Sequence, residues 1–277
     1  MAIVGAGLIG GSFGLALKRN GFDGRIIGVS SPAASRAALE RGAIDEALPL
    51  EQAVPQADLI YLSQSIGRII DSLRRLDPLV RPDALVTDAG STKAAIVRAA
   101  GVLENCQFLG GHPMAGKEKR GAEEADADLF RGRTYVITPQ SPDELETEAA
   151  RGFLVWLERI GAVPVVLTPA EHDRVVSYTS HLAQLASTAL AATVAEHLKE
   201  TDHLKVAGPG LIDSTRLALS SYEIWRDILA TNSGCVERAI GDYIQKLEYL
   251  RENLRSRQMA GEFAAAASFA SQIRRTE

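Results

Sequence analysis

Residues 4–11 read Val-Gly-Ala-Gly-Leu-Ile-Gly-Gly, and the glycines at 5, 7 and 10 fit a G-x-G-x-x-G spacing. The apolar pair Ile3-Val4 leads in as a strand, and Ser12-Phe13-Gly14-Leu15-Ala16-Leu17-Lys18 follows as a helix. Gly5 permits the tight turn out of the strand. Gly7 lacks a Cβ and lets the backbone approach a pyrophosphate, and Gly10 lets the helix pack close to the sheet. The pyrophosphate then sits on free N–H groups at the helix N-terminus. The expected ligand is a dinucleotide, held by Gly5, Gly7, Leu8, Ile9 and Gly10.

The second strand is expected over 25–29, and its end falls at Ser30, 20 residues after Gly10. Sites selective for NAD place a carboxylate there for the ribose 2′-hydroxyl. Ser30 and Ser31 stand in its place, and two hydroxyls suit a 2′-phosphate where a carboxylate would repel it. Arg36 either adds charge to that phosphate or is a solvated helix residue. The pattern favours NADP over NAD.

The remaining chain alternates in the same way. Strands are expected over 59–62, 84–88, 107–110, 134–138 and 163–167, with helices over 10–19, 32–41, 66–76, 93–100 and 143–160. Such alternation implies a parallel sheet with right-handed crossovers. From Pro169 the strands stop, and 170–199, 213–230 and 232–258 read as helices, with a break at Gly208-Pro209-Gly210. The fold class is therefore α/β: a Rossmann-type parallel-sheet domain over 1–168 and an all-helical domain over 169–277. Apolar faces on long helices predict pairing across a two-fold axis, hence a homodimer.

Composition narrows the partners. Of 277 residues, 46% are hydrophobic and 23% charged, and the net charge is −5, which gives no electrostatic footprint for nucleic acid. Two distant cysteines, Cys106 and Cys235, make neither a disulfide framework nor a zinc site and fit a reducing cytoplasm. No stretch suggests a membrane span or a signal peptide.

Chemistry gathers at the carboxyl ends of the strands, where open α/β sheets bind ligands. Asp88-Ala-Gly-Ser-Thr-Lys93 follows the fourth strand; Ser91 either caps the next helix or reaches the ligand. Gly110-Gly-His-Pro-Met-Ala-Gly116 follows the fifth and places His112 in a glycine-bounded turn. An imidazole beside a nicotinamide is what alcohol oxidation needs, because the hydroxyl proton must leave as hydride leaves carbon. Ser91 is expected to hold that ring or the substrate hydroxyl. In the helical half, His181 reads either as a core histidine or as a ligand. Arg216 pairs with Asp213 or offers its fork to a carboxylate. His172 and Asp173 read as helix N-terminal residues, and Trp225 as core.

Together with Ser180-His-Leu182, Asp213-Ser-Thr-Arg216 and Trp225-Arg-Asp-Ile228, these motifs resemble the prephenate/arogenate dehydrogenase family over essentially the whole chain. The resemblance implies oxidative decarboxylation of prephenate with hydride transfer to NAD(P), in tyrosine biosynthesis, with arogenate or dual specificity as the alternative. It also implies a helical dimerisation domain. His112 matches the catalytic histidine and Ser91 the serine that orients it. Arg216 matches the substrate-carboxylate arginine, His181 a substrate-side histidine, and Glu118 an acidic position past the His112 motif. Two departures stand out. Leu62-Ser-Gln-Ser65 replaces an apolar-Ala-x-Pro run, which makes Ser63 the expected cofactor contact there. Ser220-Ser221-Tyr222 lacks the acid of arogenate-preferring plant relatives, which leans the substrate toward prephenate, although Glu223 is close. Two rivals remain. A hydroxyacid dehydrogenase would rely on a lysine, but Lys199, Lys205 and Lys246 lie in no motif. A regulator without catalysis would show damage at His112, Ser91 or Arg216, and all three are present.

Overall fold

The computed structural model describes residues 1–117, 119–256 and 259–275. Its centre is an eight-stranded sheet of order β3-β2-β1-β4-β5-β6-β7-β8. The strands are β1 (Ala2–Val4), β2 (Ile27–Val29), β3 (Glu46–Ala47), β4 (Leu59–Leu62), β5 (Leu85–Asp88), β6 (Gln107–Pro113), β7 (Thr134–Thr138) and β8 (Val163–Val166). Helices α1 (Leu8–Arg19), α2 (Pro32–Glu40), α3 (Leu50–Ala53), α4 (Ile66–Leu76), α5 (Ala94–Ala100) and α6 (Glu148–Arg159) connect them. The central strands are apolar on both sides, as a sheet covered on both faces requires. Ile3, Tyr61, Leu85 and Leu109 join Phe13 of α1 and Phe153 of α6 in one core. Ala2, Val4, Ile60, Leu62 and Val86 meet Ile66, Ile69, Leu73 and Leu76 of α4 in the other.

One pairing departs from the parallel expectation and leaves β7 and β8 running against the other strands. β6 pairs in parallel with β5 through Leu109 and then runs antiparallel to β7 from Gly110 to Pro113. A parallel return needs a crossover, usually a helix. The described part of 114–133 contains only a short 3₁₀ turn, Ala122–Glu124, folded back onto α1 and α2. There Asp126 N donates to Ser12 Oγ at 2.9 Å and Arg41 Nη2 donates to the Ala125 carbonyl at 2.7 Å. His112 therefore lies on a strand opposite Val136, and not in the expected turn. Pairing with β7 supplies the hydrogen bonds that let Gly-Gly-His-Pro stay extended.

Beyond the sheet come α7 (Pro169–Val176), α8 (Leu182–His197), α9 (Thr201–Leu204), α10 (Pro209–Thr215) and α11 (Tyr222–Thr231). After them come α12 (Ser233–Glu252) and α13 (Ala260–Arg275). α7 begins with a capping box, in which the Thr168 hydroxyl accepts from Glu171 N and Glu171 accepts from Thr168 N. A wide five-residue π turn, Ser177–His181, separates α7 from α8. Pro209 opens α10 where a break was expected, because proline's fixed φ suits the first helical position. The change to helical sequence at 168 does not coincide with the division in packing, which falls between Ser233 and Gly234. Within the first unit, hydrogen bonds tie the sheet to the early helices. Lys93 N and Ala94 N donate to Asp173 at 2.7 and 2.9 Å, Gly67 N donates to Asp227 at 3.1 Å, and the Thr92 and Thr231 hydroxyls meet at 2.8 Å. Among the described residues no helix is long and apolar enough to cross a membrane.

Candidate active site

The glycine loop has the shape its sequence demands. Gly5 sits at φ 104°, and its N–H donates to the Val29 carbonyl at 2.8 Å. A Cβ on Gly5 would lie 2.8 Å from the Ser63 carbonyl, and one on Gly10 would lie 2.4 Å from the Gly5 carbonyl oxygen. A Cβ on Gly7 would meet nothing within 4 Å. Gly7 therefore faces open space at the start of α1, where no side chain caps the helix and the first N–H groups lack helical acceptors. A pyrophosphate fits this cradle. Ser63 Oγ donates to the Gly5 carbonyl at 2.9 Å, so it braces the loop from the end of β4. Ser30, Ser31 and Arg36 are all exposed, at the end of β2 and along α2, and Ser31 Oγ caps α2 through Ala34 N at 3.4 Å.

At the ends of β5 and β6, a fully buried ion pair shapes the strand that carries His112. Lys93 Nζ donates to Asp88 and, at 2.7 Å, to the Gly111 carbonyl, while Asp88 Oδ1 accepts from Gly111 N at 3.1 Å. Asp88 Oδ2 also accepts from Gly90 N at 2.8 Å. Both sides of the Gly111 peptide are thereby pinned one residue before His112.

His112 is half-buried, and its Nδ1 lies 2.8 Å from Nε2 of the buried His172. His172 Nδ1 in turn lies 2.8 Å from Asp173 Oδ1. Desolvation pulls His112 well below the usual histidine range, helped by the neighbouring His172, Lys93 and His181. Burial also lowers His172, against the opposing hydrogen bond to Asp173. Burial pushes Asp173 up, but hydrogen bonds from His172, Lys93 N and Ala94 N outweigh it and hold the carboxyl below its usual range. The imidazole of His112 is thus neutral at pH 7, the state a proton acceptor needs.

His181, at the end of the π turn, enters the same network. Asn232 Nδ2 donates to the Asp173 carbonyl at 2.8 Å and lies 3.3 Å from His181 Nδ1. Trp225 packs edge-on to His181 with centroids 5.8 Å apart. Burial takes His181 down to about 4. A π turn inserts one extra residue, and such turns are frequent at functional sites.

The expected residues are thus placed unevenly. His112 and His181 are joined through His172, Asp173 and Asn232. Ser91 is half-buried in the β5–α5 loop, but the hydrogen-bond partner of the His112 ring is His172 and not the expected Ser91. Arg216 is exposed at the start of a single 3₁₀ turn, Arg216–Leu219. That turn docks on α8, where Gln184 Nε2 donates to the Leu217 carbonyl at 2.8 Å and Ala218 N donates to Ser187 Oγ at 3.2 Å. Glu118 lies outside the described residues.

His172, Asp173 and Asn232 were not legible as site residues. His172 and Asp173 do stand in the first turns of α7, as expected, but their side chains face the site. The signal for the Asp88–Lys93 pair was present, since two opposite charges five residues apart bracket a buried strand end.

Two family descriptions match the chain: "Prephenate dehydrogenase, nucleotide-binding domain" over residues 13–166 and "Prephenate dehydrogenase, dimerization domain" over 168–267. Prephenate dehydrogenase of Bacillus subtilis is 33% identical over 260 residues, covering 90% of this chain and 68% of the relative. A crystal structure of prephenate dehydrogenase from A. aeolicus with hydroxyphenyl propionate and NAD+ superposes with a TM-score of 0.87 at 31% identity, covering 98% of this chain and 96% of that one. A Synechocystis arogenate dehydrogenase structure gives a TM-score of 0.80 at 32% identity, covering 99% and 98%. With a glycine cradle for a dinucleotide, a neutral histidine at the strand ends and both halves matched, the chain belongs to the prephenate dehydrogenase family.

Proposed function

We propose that this chain oxidises and decarboxylates prephenate to 4-hydroxyphenylpyruvate, with a nicotinamide cofactor as hydride acceptor. The observation that carries the reading is His112, a neutral imidazole held by hydrogen bonding at the sheet edge that also carries the glycine loop. When bound, the nicotinamide supplies the acceptor for the hydride leaving C4 of the substrate. His112 takes the proton of the C4 hydroxyl as that hydride departs. The C1 carboxylate leaves as carbon dioxide, its bonding pair passes through the ring to the C4 oxygen, which takes the proton back from His112, and aromatisation makes the sequence downhill. Arg216 and His181 bind the substrate's carboxylates, Ser91 orients the reacting hydroxyl, and Glu118 is assigned to substrate binding.

Residues 1–168 hold the nucleotide, through Gly5, Gly7, Leu8, Ile9, Gly10 and Ser63. We assign NADP as the preferred form. The end of β2 carries the hydroxyls of Ser30 and Ser31 with Arg36 one turn on, and no carboxylate stands at position 30 to repel a 2′-phosphate. Prephenate is favoured over arogenate because Ser220-Ser221-Tyr222 carries no carboxylate to meet an ammonium, and the side chain of Glu223 is exposed. An ammonium-bearing substrate would need an acid of its own. Within the helical half, 169–277, the residues up to Ser233 close the substrate side, and the half as a whole pairs two copies. That pairing is supported by exposed apolar side chains such as Val206, Leu219, Tyr222, Leu254 and Phe263.

The test is to follow reduced nicotinamide with prephenate and arogenate, each with NAD and NADP. Turnover is expected to be fastest with prephenate and NADP. His112→Asn is expected to lower kcat by about 10²–10⁴-fold with KM little changed. Full turnover in that variant would remove His112 from the chemistry.

A further inference from the structure

We infer that the Asp173 segment fixes opposite tautomers on the two active-site histidines: through His172 it leaves Nε2 of His112 bare as an acceptor, and through Asn232 it leaves the proton of His181 on Nε2 as a donor. The inference rests on the reading of His112 as the base, and it adds three positioning residues to it.

The argument starts at Asp173, whose acceptor role is fixed. Its carboxylate already receives two backbone N–H groups, Lys93 N at 2.7 Å and Ala94 N at 2.9 Å. Backbone amides can only donate, so Asp173 is ionised and accepts from every neighbour. His172 Nδ1, at 2.8 Å from Oδ1, must then carry a proton. A neutral imidazole has one N–H and one bare nitrogen. His172 Nε2 is therefore bare, and the contact of 2.8 Å to His112 Nδ1 requires the proton on Nδ1 of His112. That leaves Nε2 of His112 with a free lone pair, directed away from His172. Donation thus runs from His112 Nδ1 to His172 Nε2 and from His172 Nδ1 to Asp173, each step forced by the one nearer the carboxylate.

The second arm starts one atom group away. The Asp173 backbone carbonyl can only accept, so the Asn232 group 2.8 Å from it is the amide nitrogen. The second hydrogen of that nitrogen points to His181 Nδ1 at 3.3 Å, which must accept it. His181 then carries its proton on Nε2. Burial keeps the ring neutral, so the tautomer and not a charge decides what it offers. One histidine thus presents a lone pair and the other an N–H, the combination needed to take a hydroxyl proton while holding a substrate oxygen. Asp173 does this without touching either ring's working nitrogen.

The two arms predict a split that a merely structural role would not produce. The chain has five histidines, so ¹⁵N-histidine spectra of the full-length, substrate-free protein can be assigned by single substitutions. The wild-type protein should show His112 protonated on Nδ1 and His181 on Nε2. His172→Phe removes the acceptor for His112; its tautomers should mix, and kcat should fall about 10²-fold while KM stays within a few-fold. His172→Gln places an amide oxygen near the former Nε2 and should restore the tautomer and much of kcat. Asn232→Asp puts an acceptor before His181 Nδ1; the proton should move to Nδ1, and KM should rise about 10-fold with kcat little changed. Should Asn232→Asp fail to fold, Asn232→Ala gives the same readout through mixed His181 tautomers.

A wild-type spectrum with the His112 proton on Nε2 would overturn the inference. So would a folded His172→Phe protein with unchanged tautomer and kcat. Failure of the base reading looks different: His112→Asn would keep its turnover, while the tautomers of the substrate-free wild-type protein would still stand as described.

Discussion

Lys93 has no exposed surface and is paired with an equally buried Asp88, and burial pulls its ammonium below the usual lysine range against that pairing. Such a pair adds little net stability, but breaking it leaves one charge stranded in a low dielectric. Lys93→Met should therefore cost about 3–5 kcal/mol in denaturant unfolding. It should also loosen the peptide that sets the His112 ring, so any folded fraction should be slow. The same residues show how far a chain can be read before it folds. His112 was legible because its setting is local, three glycines and a proline around one imidazole. Its partner His172 lies 60 residues on, and Asp173 receives amides from 80 and 79 residues back. Nothing in the local pattern at His172-Asp173 distinguishes a helix start from a proton-holding pair. Ser91 was expected to hold that ring or the substrate hydroxyl, and the group in contact with the ring is the sequence-distant His172.

The strand–loop–helix unit of β1 and α1 separates two uses of glycine. Gly5 is required by the fold, since its φ of 104° and the Ser63 carbonyl leave no room for a side chain. Gly5→Ala should lower stability by at least about 1 kcal/mol. Gly7 faces open space, so Gly7→Ala should leave the melting temperature nearly unchanged while weakening cofactor binding at least several-fold; calorimetry and a binding titration separate the two. Unbroken apolar runs made β1, β4 and β7 legible, and Pro169 made α7 legible. β6 was cut short because Gly-Gly-His-Pro reads as a turn when its partner strand is unknown. β7 supplies that partner 22–28 residues later, and the antiparallel direction followed from a connection without a crossover helix. The π turn before α8 left no mark in the pattern, since α7 and α8 read as one continuous helix.

Acid should weaken the folded chain through its buried imidazoles. His112, His172 and His181 are all held below the ordinary value by burial. Unfolded histidines take up protons below about 6.5, whereas folded His181 resists until about 4. In that window the unfolded state binds more protons, so stability must fall as pH falls. The urea midpoint should drop steadily between pH 7 and 5, and His181→Asn should flatten the slope. Association is a separate matter. Phe263, Phe269 and Ile273 of α13 and Leu247 and Leu254 nearby are exposed, which is costly for a helix alone in water. Sedimentation should find two copies per particle, and Phe269→Asp should shift the balance toward one. α13 itself lay beyond the helices read from sequence, because its alanine run gives a weak stripe.

The ties from Lys93 and Ala94 to Asp173, with those at Thr92 and Gly67, put the border of the two family descriptions inside a single mechanical body. A graft that exchanged everything after residue 168 for another relative's helices would strip the sheet of the groups that hold its histidine, while one made after Ser233 would carry the proton-handling apparatus across whole. The chemistry of this chain thus runs past the switch from strands to helices, and the seam in its packing lies some sixty-five residues later.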